Sequence, residues 1–218
     1  MAHNVLESIA NARALYYDFF AGLFLYELLC KREETLIKQV EILKTHILSE
    51  NDDTHFEVLA NALKTQGIKH IIEEYTTTFI LPFTLPSDTD AMPRRRKKGE
   101  VFYHNTQIML YLSHYWEGCL NGKALLKSRE LIKQSTFRLD TQGCKESEEH
   151  LGFLLLLMRH LVCSQHSEDE KVSWQVLREL VIPLGDFVIE VLQKRENLLY
   201  YTHIASLLQS FLNVERNL

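Results

Sequence analysis

With 218 residues, 46% of them hydrophobic, the chain is long enough for one large or two small domains and apolar enough to bury a substantial core, which excludes wholesale disorder. A formal net charge of −5 disfavours a general nucleic-acid binder, whose affinity rests on neutralising phosphates. Eight glycines and four prolines are too few for a turn-rich all-β sandwich.

Helical spacing runs through almost the whole chain. Leu6, Ile9, Tyr16, Phe20, Phe24 and Leu28 trace one stripe, with Asn4 as an expected N-cap. Arg13 falls on that stripe, where a guanidinium must snorkel or find a partner. Leu36, Ile37, Val40, Leu43, Ile47 and Leu48 repeat the spacing until "SENDDT" breaks it and caps a helix carrying Phe56, Leu59 and Leu63. Gly67 ends that helix and "IKHIIEEYTTTFI" opens another. The stretch 82–99, with three prolines and the basic block "RRRKK", is the one clear loop and a candidate hinge.

Beyond the loop, 101–120 reads as a long aromatic-rich helix and 124–137 as a shorter one. Ser147 is the expected N-cap of the next helix, with Glu148 and Glu149 in its first turn, where the helix dipole favours negative charge. A further helix starts near residue 168, and Pro183 is expected to kink or end it. The last helix spans 197–212, with Leu198, Tyr201, Ala205, Leu208 and Leu212 on one face. No β alternation and no internal repeat interrupts this pattern, so the expectation is an all-α fold of nine or ten helices in one domain, 1–218.

Cys30, Cys119, Cys144 and Cys163 form no C-x-x-C pair, which points to reduced thiols. The N-terminus lacks a basic region followed by an apolar one, and the longest apolar run, 151–158, is far short of the ~20 residues that span a bilayer. A cytoplasmic protein without stable membrane insertion is the expectation.

Several stretches carry chemistry worth weighing. Arg94, Arg95, Arg96, Lys97 and Lys98 either contact an anionic partner or form a solvated loop. An alternative function, a helical regulatory or nucleic-acid-binding module, would rest on this block. His160, Cys163 and His166 have H-x-x-C-x-x-H spacing, but the third residue falls off the face shared by the first two, so no metal site is expected. Glu149 and His150 are an acid/base set by residue type, yet neighbours on a helix diverge by about 100° and do not bond directly. No P-loop, G-x-S-x-G, H-E-x-x-H or Rossmann glycine pattern occurs, and the expectation is a non-enzyme without a cofactor. In "EEYTTTFILPF" (73–83), Tyr75 and Phe79 share a face, with Pro82 and Phe83 just beyond. This is either core or an apolar groove bordered by Glu73 and Glu74 that suits a basic, hydrophobic segment.

Four stretches in order, "ARALYYDFFAGLFLYE" (12–27), "EEYTTTFILPF", "SEEHLGFLLLLMRHL" (147–161) and "VIPLGDFVIEVLQKRENLLYYTHIASLLQSFL" (181–212), resemble the TorD/DmsD/NarJ-type redox-enzyme maturation chaperones, nearest to the formate-dehydrogenase branch. The resemblance implies an all-helical cytoplasmic chaperone. Its partner would be the twin-arginine signal peptide, or the apo catalytic subunit, of a molybdenum-cofactor oxidoreductase. It implies a client site built from Glu73, Glu74, Tyr75, Phe79, Pro82, Phe83, Glu148, Glu149, His150 and Phe153. Glu149 would accept the arginines, with Glu148, Glu73 and Glu74 adding negative potential, and His150 would orient the carboxylate or contact the peptide backbone. Relatives exchange helices between protomers, so monomer and helix-swapped dimer both stay open. The chain has Glu149 where the family usually has Asp. Its "MPRRRKKGE" replaces the family's linker; that charge would repel a twin-arginine peptide and suits the anionic cofactor, an acidic client surface, or a client recognised without its leader.

Overall fold

The chain begins in a helix that becomes the axis of the molecule. In the computed structural model, which describes residues 2–81, 107–138 and 145–218, with side chains from Glu7 onward, α1 runs Ala2–Phe24. Asn4 therefore lies inside α1 rather than at its cap. Tyr16, Phe20 and Phe24 of the expected stripe are buried, whereas Ile9 stays exposed near the free end. Phe19, Tyr17 and Leu23 are buried as well, so α1 is covered on several sides and behaves as a core helix rather than a one-faced surface helix.

Arg13 finds its partner at the other end of the sequence. Its Nε and Nη2 donate to the two carboxylate oxygens of Glu215, and the Tyr17 hydroxyl donates to the same carboxylate. One turn of α1 thus clamps the last turn of α11 (Tyr201–Glu215), closing the chain on itself.

A four-residue turn, α2 (Tyr26–Leu29), leads to the hairpin of α3 (Glu33–Lys44) and α4 (Asp52–Thr65). Ile47 and Leu48, at the end of the second apolar series, fall past α3 and are exposed. Asp52 opens α4 by accepting from the amides of Leu48 and Ser49. Gly67, at φ 71°, terminates it. Next, α5 (Lys69–Tyr75) continues without a break into a π-turn, Thr76–Ile80.

The expected helix over 101–120 is not what forms across the described part of that stretch. Residues 107–111 are extended, and helix returns only at α6 (Leu112–Glu117). The reason is tertiary. Ile108 donates to the carbonyl of Thr78, Leu151 donates to that of Leu110, and Tyr111 forms an isolated antiparallel bridge with His150. These bonds replace the intrahelical ones that the aromatic spacing suggested. No strand occurs among the described residues.

α7 (Lys123–Gln134) precedes α8 (Leu151–Cys163), the second central helix. Here too the start differs from expectation. Ser147–Glu149 form a turn, and His150 is the N-cap, its Nδ1 accepting from the Gly152 amide. α8 packs on α1 more extensively than any other pair of elements among the described residues. The crossing is close: a Cβ on Gly152 would sit 2.8 Å from the carbonyl carbon and oxygen of Phe24, which are backbone and cannot swing aside.

α9 (Ser167–Val176), a π-turn at Leu177–Val181 and α10 (Ile182–Gln193) form one continuous rod. Pro183 thus does not end the helix. The widened turn immediately before it absorbs the proline's missing amide, while its fixed φ suits the first turn of α10. α10 and α11 then pack as a closing pair. Counting each π-turn with its helix gives ten helices among the described residues, in an all-α fold around one contiguous buried cluster. No helix among the described residues is long and apolar enough to cross a membrane.

Candidate functional site

Side chains from four segments converge on a cavity of about 280 Å³. α2 contributes Tyr26 and Glu27, the α5 π-turn region contributes Tyr75, Phe79 and Ile80, the extended segment contributes 107–111, and the turn before α8 contributes Glu146 and His150. The extended segment is what makes the cavity: a helix there would withdraw the bonds that tie the π-turn to α8.

The walls are aromatic and fixed. Tyr75 is buried, donates to the carbonyl of Phe24, and meets Phe79 with ring centroids 4.9 Å apart and Tyr26 at 5.6 Å. Phe79 also packs edge-on against Tyr201. Gln107 reaches back to the carbonyl of Phe79 and pins the extended segment to the π-turn.

The floor is acidic. Glu146 accepts a hydrogen bond from the Tyr111 hydroxyl. Glu27 is half-buried, and its Oε2 is buried without any hydrogen-bond partner. Burial above all, and then the neighbouring Glu146 and Glu27 carboxylates, push the Tyr75 and Tyr111 phenols up, so both remain protonated donors. Burial pushes His150 down to about 3, so the ring is neutral at physiological pH. With Nδ1 accepting from Gly152, its proton sits on Nε2. The cavity thus presents negative charge with no opposing cation among its lining residues. An orphaned carboxylate oxygen beside aromatic walls suits a guanidinium or ammonium on an apolar stem.

The expected site residues divide in this geometry. Tyr75, Phe79 and His150 come together at the cavity. Glu149 does not join them as an acceptor: it is fully buried, and its two carboxylate oxygens accept from the amides of Ser113 (2.7 Å) and Asn121 (2.9 Å). Buried and held by these two amides, this carboxylate offers no surface to an incoming arginine. Glu74 is likewise committed, accepting from the amides of Leu199, Tyr200 and Tyr201 and so capping α11. Glu148 pairs with Arg129, and Glu73 is an exposed residue beside Lys69 and His70. Phe153 is core, edge-on to Phe137. Pro82, Phe83 and the block Arg94, Arg95, Arg96, Lys97 and Lys98 lie outside the described residues.

Sequence reading missed Glu27 and Glu146. The available signal was position: Glu27 follows Tyr26 at the end of the first quoted stretch, and Glu146 opens the acidic run "ESEE". Nothing local distinguishes them from solvated glutamates, because their setting is created by the bridge between 111 and 150. His160, Cys163 and His166 line a different, shallow cleft together with Asp18 and Arg159. His160 lies 3.2 Å from the Thr136 hydroxyl, and among the described residues no group of three His, Cys, Asp or Glu side chains is placed to hold a metal.

Comparison with known protein families gives a match to part of the chain. The model of the nitrate reductase delta subunit family matches residues 99–194, a little under half of the chain, a span that includes the turn before α8 and all of α8. No curated protein and no solved structure matches. The match over 99–194 supports the NarJ/TorD-type redox-enzyme maturation chaperone family for this chain, the family its four quoted stretches resemble.

Proposed function

We propose that the chain is a client-specific chaperone that holds a basic, partly apolar segment of a molybdenum-cofactor oxidoreductase in the Glu27/Glu146 cavity. The family match implies the maturation of molybdoenzymes as the general task. The finer reading is that the segment is the twin-arginine leader of a formate-dehydrogenase-type client, held in the cytoplasm until its cofactor is inserted. One observation carries it: a buried oxygen with no partner on Glu27, a residue lining an aromatic-walled cavity whose described lining residues include a second carboxylate and no Lys or Arg. At about 280 Å³ the cavity has room for one long side chain. It would therefore take a single arginine, while the apolar remainder of the leader lies against the rim at Tyr26 and Ile80. Binding without turnover is all this geometry requires.

The test has two parts. Tagged protein expressed with its candidate client should bring down the catalytic subunit. A labelled twin-arginine leader should bind at micromolar concentration, and its twin-glutamine counterpart should not. If neither leader nor mature subunit binds, the chaperone reading fails. If only the mature subunit binds, recognition bypasses the leader.

A further inference from the structure

A second cavity, of about 260 Å³, lies between the α5 π-turn region and the 195–200 connection that enters α11. Thr77, Asn197, Leu199 and Arg195 line it, and it shares no lining residue with the Glu27/Glu146 cavity. Arg195 is only 4% exposed, and its Nε and Nη2 are buried with no hydrogen-bond partner. A guanidinium donates through five N–H groups and accepts nothing, so burying it unpaired is among the costliest arrangements a side chain can adopt.

The two carboxylates on the cavity wall do not relieve it. Glu74 is bound by three backbone amides, and Glu73 is beside Lys69 and His70. Burial lowers the Arg195 pKa, but from an ordinary value so far above neutrality that the guanidinium stays charged at biological pH. The fold therefore maintains a desolvated cation in a cavity whose own anions are used elsewhere.

We propose that this cavity docks a carboxylate side chain of a partner polypeptide. The planar guanidinium fork matches a carboxylate in two parallel hydrogen bonds, and the Asn197 amide stands in the same wall. Charge favours a carboxylate over phosphate: Glu73 and Glu74 line the cavity, and a dianion would meet about twice the repulsion from them that a monoanion meets. Leu199, 68% exposed at the rim, supplies an apolar contact for the residue beside the acid, which favours a peptide over a free small acid. This surface would give the chaperone a second, oppositely charged hold on a client, independent of the first.

The test is NMR on the full chain, following the arginine Nε–Hε signal that Arg195→Lys removes. The probes are acetyl-Glu-Leu-Leu-amide, acetyl-Gln-Leu-Leu-amide, sodium acetate and sodium phosphate at constant ionic strength. The expected result is a saturable shift with the Glu peptide at a concentration about tenfold below that needed with acetate, and no saturable shift with the Gln peptide. Arg195→Lys, which keeps the charge but loses the fork, should fold and bind the Glu peptide several-fold more weakly, as read by a fluorescent version of that peptide. Arg195→Gln should unfold at a temperature no lower than wild type, since no native hydrogen bond is removed. Equal shifts with Glu and Gln peptides, no saturable shift with either, or saturation by phosphate at lower concentration than by the Glu peptide would each overturn the proposal. Leader binding at the Glu27/Glu146 cavity, measured on the same Arg195→Lys sample, should be unchanged, which separates failure here from failure of the proposed function.

Discussion

Two pairs of glutamates in this molecule have the same side chain and opposite employment. Glu74 and Glu149 are spent inward: between them they accept five backbone N–H bonds and fasten the entry to α11 and the loops around α6. Glu27 and Glu146 face a cavity, one with an unpartnered buried oxygen, the other bonded to a tyrosine that lines the same cavity. The contrast teaches that an acidic residue near a binding motif is not thereby a binding residue. What decides is whether backbone amides have already taken its lone pairs. Glu149, the natural choice from sequence because it stands beside His150, belongs to the first class.

The largest expected effect comes from breaking the inward class. Glu149→Ala strands two buried or half-buried amides and should lower stability by about 2–6 kcal/mol in denaturant unfolding, at 1–3 kcal/mol for each unsatisfied group. If the variant instead folds with wild-type stability and loses only leader binding, the division between the two classes is wrong.

Next in size is the pH dependence of His150. Its folded pKa, near 3, is below the unfolded value of about 6.5, so between these limits the unfolded chain binds the additional proton. Stability contributed by the neutral ring is present above about pH 6.5 and falls as pH drops toward 3, by up to ~1.4 kcal/mol per pH unit. His150→Gln should flatten this part of the stability–pH curve, and an unchanged slope would show that the ring is not held neutral.

Neutralising the outward class should barely change stability. Glu27→Gln leaves no native hydrogen bond from Oε2 unmade, and Glu27→Gln/Glu146→Gln should melt within a few degrees of wild type while weakening the leader by about 10- to 100-fold, the 1.5–3 kcal/mol typical of hydrogen bonds to charged groups. The smallest effect belongs to Glu73, whose exposed contacts with Lys69 and His70 are worth at most a few tenths of a kcal/mol. Glu73→Gln should change neither melting nor leader binding, and serves as the control for net charge.

How far the sequence discloses this arrangement differs by element. The apolar stripes of α1, α4 and α11 are legible because their 3.6-residue period survives into the core, and Arg13 on its stripe correctly demands a partner. That the partner is Glu215 was not legible, since nothing local links residues 202 positions apart. The misreadings share one cause. The stretch 107–111 has helical spacing but is drawn out by bonds to Thr78 and the 150–151 backbone, and Ser147 yields the cap of α8 to His150 within the same junction. Pro183 was expected to kink or end a helix, and the helix continues through the π-turn at 177–181. Of the candidate site, the aromatic wall could be read from Tyr75 and Phe79, because i, i+4 spacing places both on one face. The acidic floor could not, because it exists only where α2 meets the turn before α8.

The most direct test of the central claim is a titration of one labelled twin-arginine leader against wild type, Glu27→Gln/Glu146→Gln and Glu73→Gln, with melting curves recorded on the same samples. The outward-facing carboxylates are the arginine site if the double variant binds at least about tenfold more weakly than the other two while all three melt alike. Equal affinity across the three would contradict it and move the client's arginine elsewhere on the chain.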